Sequence, residues 1–224
     1  MKVKYFIGGY DKNICYLLWC EESKHAAIID PAVEINPIID FIENNNLILD
    51  KILITHSHQD HIKYLYDLID FFNLIKVYIS KKSYQEFNLR YKNQNTLFSS
   101  LSNNQIVNVG KGMLTILETP GHYYDSICIW DIKNRRIFTG DTMFIGRTGR
   151  ILSKKSSIDD LYNSIYNILL KLPHNTMIYS GHDYGYKTLD TIENNIVSSD
   201  FFTCQNLSQF RIVMNNYEKN RKKR

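Results

Sequence analysis

Proline and glycine are scarce in this chain, with 4 prolines and 10 glycines among its 224 residues. This composition excludes a collagen-like repeat, and an apolar content of 44% excludes disorder of the whole chain. The longest apolar run, residues 14–20, is too short for a bilayer, which takes about 20 residues. Residues 1–11 contain no long apolar segment followed by a cleavage site. We therefore expect neither a secretory signal nor a membrane anchor.

Cysteine is also rare, and none of the four cysteines forms a CxxC pair. In a chain of this length, that usage predicts a reducing compartment and no disulfide framework. We therefore expect a cytoplasmic protein in which the cysteines, at positions 15, 20, 128 and 204, are small buried residues.

Most of the chain lacks an excess of either charge. The formal net charge is +4, and residues 218–224, with five basic residues and one acidic residue, carry all of it. The rest of the chain contains 22 basic and 22 acidic residues and is therefore neutral. A neutral body argues against a nucleic-acid partner bound through a broad basic face, and leaves only the tail as an electrostatic handle.

Hydrophobic periodicity predicts alternating groups of strands and helices. The predicted strands cover residues 3–7, 14–20, 26–29, 51–55, 76–80, 112–119, 126–132, 136–139 and 176–180. The predicted helices cover residues 37–43, 60–72, 156–172, 188–196 and 206–217, and the polar residues 83–104 are assigned as helix and loop. Ser156 or Ser157 is expected to cap the third helix. This mixture predicts a layered α/β fold, with one domain at 1–200 and a C-terminal helix with a basic tail at 201–224.

The most informative segment is THSHQDH at residues 55–61, which places three histidines and one aspartate within six positions. Chance alone would produce its H-x-H-x-D-H pattern in roughly one such sequence in two thousand. His56 and His58 follow a predicted strand, where alternate side chains point the same way. Asp60 and His61 are expected at the start of the next helix and project differently. The two pairs can therefore ligate two neighbouring ions, and imidazole with carboxylate suits zinc.

Three further candidate ligands each follow a strand-like run and a glycine. They are His122 in TPGH, Asp141 in TGD and His182 in SGH. Strand ends that lead into loops are where α/β folds place their chemistry, and a preceding glycine lets the backbone turn tightly. Five of the seven histidines fall in this pattern, so we expect these residues to join the THSHQDH segment in one metal site.

The succession THSHQDH, TPGH, TGD and SGH resembles the metallo-β-lactamase fold superfamily, from about residue 5 to about residue 200. Within that superfamily the chain is similar to glyoxalase II (hydroxyacylglutathione hydrolase) and to the persulfide dioxygenases. Both have counterparts of IDP at 29–31, GDTMFIGRTGR at 140–150 and GHDYG at 181–185. The resemblance implies an αββα sandwich, with two mixed sheets, helices outside them and the site at one edge.

The resemblance also implies a ligand set for two divalent ions, with zinc favoured over iron or manganese. The first ion would be held by His56, His58 and His122. The second would be held by Asp60, His61 and His182, and Asp141 would bridge the two. In the dioxygenase branch a single iron uses only the positions of His56, His122 and Asp141, so a one-ion site stays open as an alternative.

The hydrolase interpretation predicts that a thioester of glutathione is cleaved by a metal-bound hydroxide, since two ions lower the pKa of bound water toward 7. Asp60 and Asp141 would be the catalytic carboxylates that hold the ions and orient the hydroxide. No G-x-S-x-G motif is present, and this chemistry needs no serine nucleophile. The alternative is a mononuclear iron persulfide dioxygenase acting on glutathione persulfide. A metal-dependent RNA-processing nuclease is less favoured, because the body of the chain is neutral.

Two positions are implied for binding a small glutathione-like thiol conjugate. Arg150 aligns with a basic residue that binds the glutathione carboxylate, and Tyr184 aligns with an aromatic residue that contacts glutathione. The chain departs from the family at Arg147 and Thr148, where glycine and cysteine are familiar. It departs from the dioxygenases at residues 151–152, where Ile-Leu replaces an acidic and an aromatic residue.

Overall fold

The computed structural model describes residues 1–72, 75–91 and 97–221. In this part of the chain the strands are β1 (Lys2–Gly8), β2 (Asn13–Trp19), β3 (His25–Ile29), β4 (Ile48–Leu53), β5 (Lys76–Ser80), β6 (Leu97–Leu101), β7 (Ile106–Val109), β8 (Gly112–Glu118), β9 (Ile127–Asp131), β10 (Arg136–Gly140), β11 (Met143–Phe144), β12 (Arg147–Thr148), β13 (Met177–Ser180) and β14 (Leu189–Thr191). The α-helices are α1 (Asn36–Asn44), α2 (Leu65–Phe71), α3 (Tyr84–Arg90), α4 (Ile158–Asn163), α5 (Ile192–Ser198) and α6 (Leu207–Arg221).

Two mixed sheets of six strands form the centre of the fold. The first sheet has the order β1-β2-β3-β4-β5-β6, with antiparallel pairing from β1 to β3 and parallel pairing from β3 to β6. The second sheet has the order β14-β13-β10-β9-β8-β7, in which β10 and β13 pair in parallel and the other neighbours are antiparallel. Strands β11 and β12 form a separate hairpin.

Each sheet buries both of its faces. Along β2, Cys15 and Leu17 pack into the core under helices α1 to α3, whereas Ile14 and Tyr16 face the second sheet. This period-two alternation is expected of a strand covered on both sides. The order of layers is therefore helix, sheet, sheet, helix, and the predicted αββα sandwich is confirmed.

The second sheet is covered in the same way by the C-terminal half of the chain. Ile137 of β10 packs against the core of helices α4 to α6, while its neighbour Phe138 faces the first sheet. Phe210 of α6 is fully buried in the outer core, so the C-terminal helix is a packed part of the sandwich. The last residues of the predicted basic tail, 222–224, lie outside the described part of the chain.

Helix α2 begins later than the sequence predicts, because Asp60 and His61 lie in turns ahead of it. The backbone N–H of His61 donates to the carbonyl of His58 at 3.1 Å. Residues distant in sequence hold both side chains: Asn13 donates to Asp60 at 3.0 Å, and Asp30 bonds to His61 at 2.8 Å. The expectation that this pair opens a helix is wrong, since these tertiary contacts outweigh the helical periodicity.

Two other helix predictions change in part. The start of the segment 188–196 is strand β14, and the Thr191 hydroxyl then caps α5 by accepting from the N–H of Asn194 at 3.2 Å. The segment 156–172 is capped by Ser157 and leaves α-helical geometry at residue 164 for a π-helical and then a 3-10 turn. At that residue the Ser164 hydroxyl donates to the carbonyl of Pro120 at 2.6 Å, which ties the helix to the loop before His122.

Three further expectations can be compared with the described residues. The polar segment 83–104 contains α3 and also strand β6, and its residues 92–96 lie outside the described part. All four cysteines are buried free thiols, as predicted. Among residues 1–72, 75–91 and 97–221, no helix combines the length and apolar character that crossing a membrane requires.

Candidate metal centre

Loops at one edge of the sandwich carry all the predicted ligands. The segment 55–61 follows β4 of the first sheet, whereas His122, Asp141 and His182 follow β8, β10 and β13 of the second. These four strands end at the same edge, so residues far apart in sequence meet there. Both sheets therefore contribute to a single cluster of side chains.

Glycines allow the loops to approach this closely, for two different reasons. Gly140 has a φ of +47°, a left-handed conformation that side chains other than glycine rarely adopt. Gly181 has no positive φ, but a Cβ built on it would lie 2.4 Å from Asp141 Oδ1 and 2.6 Å from His61 Cε1. The first glycine permits a turn, as predicted, and the second leaves room for the neighbouring side chains.

Three imidazole nitrogens converge to form the first cluster. His58 Nδ1 lies 3.0 Å from His56 Nε2 and 3.1 Å from His122 Nε2. Nitrogen ligands about 2.0–2.1 Å from a tetrahedral zinc ion stand roughly 3.3 Å apart. The spacing of these nitrogens therefore suits ligands that share one cation.

The second cluster combines two imidazoles with a carboxylate. His61 Nε2 and His182 Nε2 are 3.2 Å apart, and Asp60 Oδ2 lies 3.7 Å from the first and 3.4 Å from the second. Asn13, whose side chain is completely buried, fixes the carboxylate of Asp60. This group also has the composition and spacing of a cation site.

Asp141 lies between the two clusters. Its Oδ1 is 3.2 Å from His61 Nε2, and its Oδ2 is 3.4 Å from His182 Nε2 and 3.6 Å from His122 Nε2. Burial by itself raises the pKa of this carboxyl, but the charges of His61 and His182 hold it well below its usual range. An ionised carboxylate is therefore in contact with both groups of imidazoles.

Hydrogen bonds on the outer side of the rings determine which nitrogen faces the clusters. His122 Nδ1 donates to the carbonyl of Arg150 at 2.8 Å, and His182 Nδ1 donates to the carbonyl of Asp11 at 2.9 Å. A carbonyl oxygen only accepts, so each Nδ1 carries the proton. Each Nε2 of a neutral ring then presents its lone pair to the cluster, as a metal ligand does.

Asp30 orients His61 in the same manner. Its carboxylate is 2% exposed and accepts from His61 Nδ1 at 2.8 Å, from the N–H of Thr55 at 2.8 Å and from the Thr55 hydroxyl at 2.6 Å. If both rings were neutral in this tautomer, the Nε2 lone pairs of His61 and His182 would face each other across 3.2 Å. That arrangement repels unless positive charge lies between the rings, so the residues present fit a metal ion.

The pKa shifts differ between the two clusters. Burial, followed by the nearby His122, lowers the pKa of His58 to about 4. Burial also disfavours the charged form of His182, yet the carboxylates of Asp141 and Asp60 raise its pKa to about 9. The first cluster thus holds neutral imidazoles, and the second attracts a cation, whether a proton or a metal ion.

Sequence reasoning gave no role to Asp30 or Asn13. Asp30 directly follows β3, the strand beside β4 in the first sheet, and its φ of +51° marks a specialised turn. The strand-end argument that selected the other residues, applied to β3, would have indicated it. Asn13 carries no such signal, because it begins β2, pairs with His182 in an isolated bridge and reaches Asp60, 47 positions away, through its side-chain amide.

The two predicted substrate residues have different surroundings. Tyr184 stacks on His182 with ring centroids 4.6 Å apart and an interplanar angle of 2°, so it borders the clusters directly. The guanidinium of Arg150 forms two hydrogen bonds of 2.7 Å with the carboxylate of Glu218 on α6. The Arg150 backbone, rather than its side chain, contacts a candidate ligand.

An αββα sandwich with two clusters of candidate metal ligands at its edge defines a protein of a metal-dependent enzyme class. Residues 11–182 match the family model of the metallo-beta-lactamase superfamily, and the chain belongs to that family.

Three proteins illustrate what the chain is similar to. The hydroxyacylglutathione hydrolase of Francisella tularensis subsp. novicida is 31% identical over 206 residues, which cover 90% of this chain and 75% of that protein. BaeB of Bacillus velezensis, named a probable polyketide biosynthesis zinc-dependent hydrolase, is 28% identical over 198 residues, or 88% of this chain and 85% of BaeB. The crystal structure of ETHE1 from Myxococcus xanthus superposes with a TM-score of 0.84 and 25% identity, covering 97% of this chain and 91% of that one.

Proposed function

We propose that this protein is a dinuclear metal-dependent hydrolase that cleaves a thioester of a glutathione-like thiol. The observation that carries the proposal is the position of Asp141, whose two carboxylate oxygens contact imidazoles of both clusters. A one-ion enzyme needs a carboxylate toward one cluster only. The names of the relatives, a hydroxyacylglutathione hydrolase and a zinc-dependent hydrolase, support hydrolysis and zinc.

The ligands divide into two sets around a shared carboxylate. The first ion would be held by His56, His58 and His122, the second by Asp60, His61 and His182, and both by Asp141. When bound, two divalent ions would activate a water molecule and polarise the thioester carbonyl, with zinc favoured over iron or manganese.

The chain's own residues hold this arrangement in place. Asp141 sets the distance between the two clusters, and Asn13 keeps the Asp60 carboxylate turned toward the second one. Aromatic rings flank both ends: Tyr123 lies 4.2 Å from the ring of His58, and Tyr184 stacks on His182 at the other side. These rings form walls that exclude water and orient a bound substrate between them.

Oxidation of glutathione persulfide by a single iron is the second candidate function. The observation that favours it is the similarity to ETHE1, with a TM-score of 0.84 over 97% of the chain. His56, His122 and Asp141, the positions used in that branch, are also brought together here. The second cluster would then have no catalytic task.

Metal analysis and two assays distinguish these candidates. Under the hydrolase proposal we expect two zinc-like ions per chain and hydrolysis of S-lactoylglutathione. His61→Ala should then abolish hydrolysis, since it removes a ligand of the second cluster. One iron per chain, with oxygen consumption on glutathione persulfide and nearly full activity of His61→Ala, would contradict the proposal. His174→Ala, outside the clusters, is the control, and His56→Ala should inactivate either enzyme.

A further inference from the structure

A cavity of about 570 Å³ lies next to the metal centre, between the β11–β12 hairpin, the loop after β13 and the end of α6. It is lined by Arg147, Tyr184, Tyr217, Asn220 and Arg221. The ring of Tyr184 forms the wall toward the clusters, because its other face stacks on His182. A single aromatic ring, that of Tyr184, therefore separates the cavity from a candidate ligand.

Arg150, the residue expected to bind a substrate anion, does not line this cavity. Its Nε and one terminal nitrogen both donate to Glu218 at 2.7 Å, in a bidentate ion pair that neutralises the guanidinium. Its carbonyl accepts from His122 Nδ1. Binding an anion at Arg150 would require this pair to break, so we assign Arg150 the positioning of His122 and of helix α6.

Arg147, where the family has glycine, is differently placed. Its guanidinium lies 4.1 Å from the ring centroid of Tyr184 and 5.4 Å from that of Phe144, and it donates to the Tyr217 hydroxyl. Its Nε is buried without a hydrogen-bond partner, and across the described ranges it forms no ion pair with an acidic side chain. A guanidinium that is held by ring stacking and lines a cavity is preorganised to bind an anion there.

Arg221 adds a second positive charge to the same cavity. Burial lowers the pKa of Arg147, and the like charge of Arg221 lowers it further, which shows that the two guanidinium groups act on each other. Asp11, one of the acidic residues whose charge acts on Arg147, accepts a hydrogen bond from the Tyr184 hydroxyl. Two cations that face one cavity repel each other, and an anion between them relieves that repulsion.

We propose that Arg147 and Arg221 form an anion subsite that binds the carboxylate or phosphate at the far end of the thiol portion of the substrate. This inference rests on the proposed thioester hydrolase function and names its substrate class, an anionic thiol conjugate. A planar guanidinium binds either group through two parallel hydrogen bonds. Arg147 stacks on Tyr184, which in turn stacks on His182. The anion subsite therefore lies beside the metal centre where the thioester carbonyl would react.

Three thioesters whose thiol portions differ in charge test the subsite. S-lactoylglutathione carries carboxylates, acetyl coenzyme A carries phosphates, and S-acetyl-N-acetylcysteamine is neutral. Arg147→Ala should raise KM for the anionic substrate that the enzyme uses by about 10–100-fold, the loss expected for a pair of charge-assisted hydrogen bonds. The kcat should stay within about twofold, and the neutral thioester should show no change in KM.

Matched variants separate the loss of the subsite from the loss of structure. Arg221→Ala removes an exposed side chain at the end of α6 and should raise the same KM without lowering the melting temperature. Arg147→Lys keeps the charge but not the planar stack, so its KM should be intermediate. Arg211→Ala, on the same helix and paired with Asp159, removes the same charge elsewhere and is the control. An equal KM increase for the neutral thioester would overturn the proposal.

A binding measurement distinguishes failure of the subsite from failure of the proposed function. Isothermal titration of the metal-loaded protein with S-methylglutathione or coenzyme A follows the anion without turnover. Binding that depends on Arg147 and Arg221, in a protein that hydrolyses none of the thioesters, would refute the hydrolase function and keep the subsite. Thioester hydrolysis with unchanged KM in both variants, or no binding of either probe, would overturn the subsite.

Discussion

Replacement of Asp30 by asparagine should weaken the binding of the proposed ion at the second cluster and leave the ion at the first cluster in place. Asp30 accepts three hydrogen bonds, two from Thr55 and one from His61. The single carbonyl of asparagine can replace only part of this, and its amide N–H groups would face donors. The left-handed φ of +51° at this position is tolerated by asparagine, so the backbone should not change.

The size of the effect follows from the role of this hydrogen bond. Without a carboxylate on its outer side, His61 loses the tautomer that presents its Nε2 lone pair to the second cluster. Loss of such an outer partner typically lowers metal affinity about 10–100-fold, which corresponds to about 1.4–2.8 kcal/mol. His122 keeps its bond to the carbonyl of Arg150, and Asp30 reaches the first cluster indirectly, through the Thr55 hydroxyl 3.1 Å from His56 Nδ1. The first ion should therefore keep most of its affinity.

Calorimetric titration of metal-free protein with zinc measures both affinities in one experiment. We expect the Asp30→Asn protein to bind one ion as the wild type does and the second more weakly. Asp40→Asn, an exposed substitution on α1, serves as the control for the loss of one negative charge. Equal weakening of both ions, or two ions with wild-type affinity, would refute the assigned role of Asp30.

Three other substitutions test the site and the fold. Gly181→Ala should lower metal content and activity by at least about tenfold, since its Cβ would lie within 2.6 Å of Asp141 and His61; metal analysis checks this. Phe210→Ala should lower the free energy of unfolding by about 3–5 kcal/mol in urea denaturation, because the ring is fully buried. Burial raises the pKa of Asp125, so the folded protein binds that proton more tightly than the unfolded chain and loses stability as pH rises through the carboxyl range. The free energy of unfolding of Asp125→Asn, relative to that of the wild type, should therefore be higher at pH 7 than at pH 3.5. Urea unfolding at both pH values measures this difference.

The candidate ligands could be predicted from sequence because local signals select them. The H-x-H-x-D-H spacing and the strand–glycine–ligand pattern depend only on neighbouring residues, and the structure brings these side chains within hydrogen-bonding distance. The layered α/β class was predictable for a similar reason, since short apolar strand-like runs such as β2 and helices with one apolar face can be recognised from neighbouring residues.

Features that depend on distant residues could not be predicted in this way. His58 presents Nδ1 to its cluster whereas His122 presents Nε2, a choice fixed for His122 by the carbonyl of Arg150, 28 positions away. The pairing of Arg150 with Glu218 spans 68 positions. No local sequence pattern indicates such long-range contacts. For the same reason the sequence around Asp60 predicted a helix, because the contacts of Asn13 and Asp30 that hold the turns there come from distant residues.

The second cluster joins parts of the chain that are far apart, since His61 and His182 are separated by 121 positions and belong to loops of different sheets. An ion held by these two residues would act as a cross-link that closes a very long loop in the chain. Its topological effect is that of a disulfide across the same span, which stabilises by restricting the unfolded ensemble. Removal of the ion by a chelator would then have the same effect as reversible reduction of a disulfide. It would remove the cross-link between the loops of the two sheets.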